Sequence, residues 1–173
     1  MSVNTVPDKV LNYNVYNEGE QLIGVSGEVT LPKLEAMTET ISGAGIAGEI
    51  ESPSPGHFGS MTIEIPFRTL IDQSFNLMVP EAKTLILRAN QQSLDISAGA
   101  INQRALKITL KVIPKGIELG TLGVSKPTDT KNTLEVIYIK IVENGDTLLE
   151  LDKFNFVYIV NGTDVFADIK DNI

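Results

Sequence analysis

The chain has 173 residues and a formal net charge of −8, from 22 acidic and 14 basic side chains, with no cysteine and no tryptophan. That length suits one domain with a substantial core, and the absence of cysteine removes disulfides, thiol nucleophiles and thiolate metal sites together. An acidic chain repels phosphate backbones, which argues against tight binding of nucleic acid.

Residues 1–9 are polar and contain Pro7, as an extended N-terminal arm would. From Val10, the stretch VLNYNVYN alternates Leu11, Tyr13 and Val15 with Asn12 and Asn14, a strand-like period. Glu18-Gly19-Glu20 turns the chain. Residues 22–31, LIGVSGEVTL, read as a second strand stopped by Pro32, and residues 33–41 as strand or extended hairpin. Residues 42–60 carry five Gly and two Pro. A connection that long tends to be functional or disordered, and this one, without charge runs, is expected to order against a partner. Residues 33–60 thus form a hairpin or long loop.

Residues 61–65 predict a short strand. Residues 66–79, PFRTLIDQSFNLMV, predict the main helix, with Pro66 at its first position and Pro80 discouraging continuation. Its apolar stripe would be Phe67, Leu70, Ile71, Phe75 and Met78. Strand signals follow at 84–89, 93–97 and 101–113, then a turn-rich crossover at 114–129.

Residues 133–170 hold the strongest local signal. Asn144-Gly145 between apolar runs is a type I′ hairpin turn, which needs positive φ at both positions. A two-residue turn places Val142 opposite Thr147, Ile141 opposite Leu148 and Tyr138 opposite Leu151. Neither face then reads as the water face, because Glu135, Glu150 and Asp152 share one with Ile137, Ile139 and Ile141. Lys140 and Lys153 fall with Leu134, Val136 and Leu151 on the other. A short helix closes the chain. The expected fold is a single mainly β domain, 1–173, a sandwich or barrel of about seven or eight strands with one flanking helix and a short C-terminal helix.

No residue pattern points to catalysis. The G-x-G-x-x-G at Gly43, Gly45 and Gly48 lacks the following helix that a dinucleotide site needs, since Pro53 and Pro55 stand there. His57 is the only histidine, and a lone imidazole builds no His-based metal site. Asp164 and Asp168, four apart, read as a helix-start charge and a solvated face. Asn161-Gly162-Thr163 reads as a turn and cap. The expectation is no enzyme, no cofactor and no metal. No apolar run approaches the roughly 20 residues of a spanning helix, and nothing resembles a signal peptide, so a soluble protein of the cytoplasm where it is made is expected.

Three blocks together resemble the major tail tube protein of contractile-tailed bacteriophages. They are residues 11–35 with the following GAGIAGEIE, the SKPTDTK turn at 125–131 leading into TLEVIYIKI, and residues 149–170, LELDKFNFVYIVNGTDVFADIK. This chain has Lys126-Pro127-Thr128 where the family's turn usually reads Lys-Pro-Gly. The resemblance implies a fold like the type VI secretion tube protein, with hexameric rings stacked into a hollow tube inside a contractile sheath. It implies ring stacking through the arm and long loop, with Leu11, Tyr13, Leu34, Met37, Gly43, Gly45, Ile46 and Gly48 as candidates, and a lumen face bearing Glu135, Glu150 and Asp152. Implied partners are further copies, the sheath, baseplate, tail terminator and tape measure proteins, with DNA only as cargo. The tube of a DNA-free phage-tail-like bacteriocin is the alternative. A monomeric ligand-binding β-sandwich is the rival from another class, although 6% aromatic residues make a poor ligand cleft.

Overall fold

The computed structural model describes residues 4–173. In chain order the elements are β1 (Thr5–Asn17), β2 (Glu20–Gln21), β3 (Ala36–Ile41), β4 (Ile50–Phe58), β5 (Thr62–Phe67), α1 (Asp72–Asn76), β6 (Lys83–Asp95), β7 (Ala100–Glu118), β8 (Thr130–Glu143), β9 (Asp146–Asp152), β10 (Val157–Val160), β11 (Thr163–Asp164) and α2 (Ala167–Asn172). The mainly β expectation holds. Of the expected arm, residues 1–3 lie outside the described residues, and Thr5 onward is already paired in β1.

One antiparallel sheet runs β11-β10-β9-β8-β7-β6-β1-β2, with β5 added beside the first half of β8. β3 and β4 form a separate two-stranded sheet. The core lies on one face of the large sheet. Val15, Leu85, Leu110, Val112, Leu134, Val136, Ile139 and Leu151 point into it, and Met61, Ile63, Ile65, Phe67 and Leu77 complete it, all nearly inaccessible to solvent. Each such side chain contributes about 1.5–3 kcal/mol by leaving water.

The predicted helix at 66–79 is largely replaced. Helix α1 has five residues, and Pro66 and Phe67 belong to β5, where they pair with Lys131 and Thr130. Pro66 fits because its carbonyl accepts from Ser26 N–H, so its missing donor falls on the same side, away from β8. Arg68 then ties down the next residue: its N–H donates to Gly24 O, and its carbonyl accepts from Thr128 N–H at 2.9 Å. Helix formation waits until residue 72. Leu70 and Phe75 of the expected stripe are exposed, whereas Leu77, outside that stripe, is buried.

The expected strand at 22–31 reduces to isolated bridges, Val25 to Phe67 and Thr30 to Glu64. Glycines at 24 and 27 with positive φ break its extended run. The signals at 84–89 and 93–97 are one strand, β6, and β7 runs on through Pro114 to Glu118 by means of register shifts beside Val112 and Gly116. The second half of the long loop at 42–60 is the second arm of a hairpin, β4 (Ile50–Phe58).

The Asn144-Gly145 turn forms as expected, with φ of 48° and 91°, and Val142 faces Thr147. Beyond it the register differs from simple counting. Ile141 pairs with Leu149, Ile139 with Leu151 and Tyr138 with Asp152, because Leu148 is an extra residue. A second irregularity pairs Lys111 with Tyr138 and Val112 with Val136, leaving Ile137 unopposed. Each bulge slips the period by one. The core face of β8 therefore changes from even residues, Leu134 and Val136, to the odd Ile139 and Ile141.

Candidate functional site

The face of the large sheet away from the core collects the three lumen candidates. Glu135 sits at an odd position before the Ile137 bulge, Glu150 lies directly opposite Lys140, and Asp152 opposite Tyr138. None of them is a free charge. Glu135 accepts from Ser60 Oγ at 2.7 Å and from Met61 N–H, and pairs with Lys115. Glu150 accepts from Tyr138 OH at 3.0 Å. Asp152 takes the backbone N–H groups of Phe154 and Asn155 and the Asn155 side chain, an Asx turn that closes β9.

These contacts tune the titrating groups. Burial, then the bond to and charge of Glu150, pushes the Tyr138 phenol up to about 12. Burial acts to raise the Asp152 carboxyl, but the Asn155 side chain and the two N–H groups outweigh it and hold the carboxyl below its usual range. Lys111 lies over the Tyr138 ring, 5.4 Å from its centroid. The face is thus mixed in sign, with cations on β6 to β8 and carboxylates on β8 and β9.

The stacking candidates divide into two groups. Tyr13 and Leu34 are half-buried against the core, and Tyr13 OH donates to Gly27 O at 2.9 Å. Leu11 is exposed at a register shift in β1. Met37 is exposed on β3, and Gly43, Gly45, Ile46 and Gly48 form the tip between β3 and β4, held by an Ile46 N–H to Gly43 O bond. The hairpin tip is free, while its root is fixed by rings. His57 stands edge-on to Phe156 and Phe166, which stack at 4.0 Å, and Phe58 meets Tyr158. Sequence reading passed over this cluster, whose members are spread from 57 to 166. It also placed Asp164 in the closing helix. Asp164 lies in β11, accepts from Phe166 N–H and Lys170 Nζ ahead of α2, and the Lys170 bond draws its carboxyl below the usual range.

The profile of the family phage tail tube protein FII matches residues 7–173. The chain belongs to that family. It is 26% identical to the tail tube protein of Escherichia phage P2 over 97% of this chain and 98% of that protein. It is 23% identical to the major tail tube protein of Serratia phage KSP20, over 94% of this chain and 93% of that one. A chain from the cryo-EM structure of an extracellular contractile injection system, the PVC sheath/tube terminator in its extended state, superposes with a TM-score of 0.53. The match spans 82% of this chain and 99% of that chain at 14% identity, and shares the fold. As a tail tube family member the protein is structural and not an enzyme, and its place is the phage tail.

Proposed function

We propose that this chain is the repeating subunit of a contractile tail tube, in which hexameric rings stack into a hollow conduit inside the sheath. The observation that carries this reading is an open sheet edge. β1 pairs with β2 only at Tyr16 and Asn17, so from Val6 to Asn14 one side of the strand has no partner strand among the described residues. Such an edge invites uncontrolled pairing unless another strand covers it, and a ring of copies covers every edge. Solvent-exposed apolar side chains support the same reading. Leu122 is 89% and Val124 94% exposed, an unusual arrangement unless a partner meets the loop.

In this tube the β8–β9 part of that face, bearing Glu135, Glu150 and Asp152, lines the lumen, and the β3–β4 hairpin together with the start of β1 reaches the adjacent ring. The sheath surrounds the tube, baseplate and terminator proteins close its ends, and the tape measure protein and DNA pass through it as cargo. The subunit is made in the host cytoplasm. Negative-stain microscopy and sedimentation of the purified chain test the proposal: rings or long hollow tubes are expected, and a monomer at high concentration under every salt condition overturns it.

A further inference from the structure

The charge of this chain is divided between two elements. From Leu34 to Phe67 there is no Lys or Arg, while Glu35, Glu39, Glu49, Glu51 and Glu64 fall in that stretch. Between Lys83 and Lys115 six Lys or Arg stand against Asp95 as the one acid. The acidic stretch builds the β3–β4 hairpin, whose strands pair only with each other, and the basic stretch builds β6 and β7.

On the basic side Arg88 and Lys107 are direct cross-strand partners. Like charges in that position destabilise a sheet. The salt bridges of the described residues include neither side chain, although Arg88 lies 5.8 Å over the Tyr16 ring. Both face away from the core and line a concavity of about 740 Å³ with Asn12, Asn14, Asn90 and Asn144. The concavity borders the part of β6 and β7 that projects past β8, whose pairing with β7 begins only at Leu106. Further out, Leu94 has Val6 as its cross-strand neighbour on one side and Ile101 on the other, and all three are exposed.

The hairpin carries the complementary pattern. Ile41 pairs with Ile50, both exposed, and Glu39 shares their side two residues before Ile41. A lone two-stranded hairpin is marginal in water, so this one gains from being covered.

We propose that the acidic hairpin of one copy docks on the projecting β1-β6-β7 surface of a second copy. Glu39, together with Glu49 at the tip, answers Arg88 and Lys107, and Ile41 and Ile50 meet the apolar residues at the end of the projection. The inference rests on the stacked-ring reading and deepens it by naming both halves of one contact. Opposite charges at an interface set register and speed encounter, and their effect falls with ionic strength.

The test uses two full-length variants. One reverses the hairpin (Glu39→Lys, Glu49→Lys), and the other reverses the concavity (Arg88→Glu, Lys107→Glu). Each alone is expected to lose sedimentable polymer. Mixed in equal amounts they are expected to polymerise together, because the basic hairpin of one fits the acidic concavity of the other. That recovery also establishes that both variants are folded. Polymer from either variant alone, or a mixture that stays unassembled while circular dichroism reports native sheet in both, overturns the contact. So does a concavity variant that polymerises like the wild type but no longer retains duplex DNA, since the cations then serve phosphates. A wild-type chain that never polymerises overturns the tube reading and this contact with it, whereas polymerising wild type and variants overturn the contact alone.

Discussion

Gly56 lies directly beneath the ring of Phe166: a Cβ at Gly56 would stand 2.3 Å from Phe166 Cζ, and Gly56 has φ of +74°. Both the space and the backbone therefore require glycine. The contact fixes the root of the β3–β4 hairpin to the C-terminal aromatic cluster, 110 positions further along the chain by sequence number. Gly56→Ala is expected to lower stability by about 1–3 kcal/mol through strain and overpacking, measured by urea denaturation. Gly45→Ala, at the tip with open space around it and φ of +89°, is expected to cost about 1 kcal/mol or less. Equal losses for the two would mean that the root is not anchored by this packing.

The turn at Asn144 is stitched to the neighbouring strand. Its N–H donates to Ala105 O, and its side-chain oxygen accepts from Ala105 N–H, both at 2.9 Å. With φ of 48°, Asn144 also occupies a region unfavourable to most side chains. Asn144→Ala is expected to cost about 1–2 kcal/mol. Asn144→Gly keeps the backbone and loses the side-chain bond, so a smaller loss in the same urea denaturation is expected. If Ala and Gly cost the same, the backbone conformation contributes nothing.

These two sites also mark what could be read from the residues alone. Asn144-Gly145 was legible because both φ requirements are local to the dipeptide. The mixed faces of the following hairpin were legible as an anomaly but not as their cause. The extra residues at Ile137 and Leu148 are set by pairing with strands on either side. Residues 66–79 have helical period and a proline at the right place, yet Phe67 is held in β5 by contacts with Thr130 and Val25 that lie far off in sequence. Tertiary pairing outweighed local propensity there. Glu135, Glu150 and Asp152 do share a face, but Ile139 and Ile141, expected beside them, turn to the core; the basic side of that face was missed because Arg88 and Lys107 become neighbours only through the pairing of β6 with β7.

Alkaline stability should report on Tyr138. Its folded value of about 12 lies above the ordinary phenol value of 10.0, so the neutral phenol is favoured in the fold. The contribution is fully present below pH 10 and is lost as pH rises from there toward the folded value. The wild type is expected to lose stability across that window, and Tyr138→Phe to lose less over the same window while being less stable at neutral pH. Circular dichroism melts at stepped pH check this. Parallel curves for the two proteins would remove Tyr138 as the cause.

Glu135 and Glu150 share a face but should respond differently to substitution. Glu135 brackets the start of β5 through Ser60 and Met61 N–H, so Glu135→Ala strands a partly buried N–H and is expected to cost about 1–3 kcal/mol. Glu150→Lys places a second cation opposite Lys140 and removes the acceptor for Tyr138, a cross-strand change of about 1 kcal/mol or less. The Glu150→Lys chain should therefore still fold and polymerise. If this face lines the lumen, six such substitutions per ring add cations along the cargo path, and phosphates held by them exchange more slowly at low salt. Slower release of DNA from particles carrying Glu150→Lys, relieved by added salt, is the expected outcome. Polymer with unchanged release at every salt concentration would place Glu150 outside the conduit.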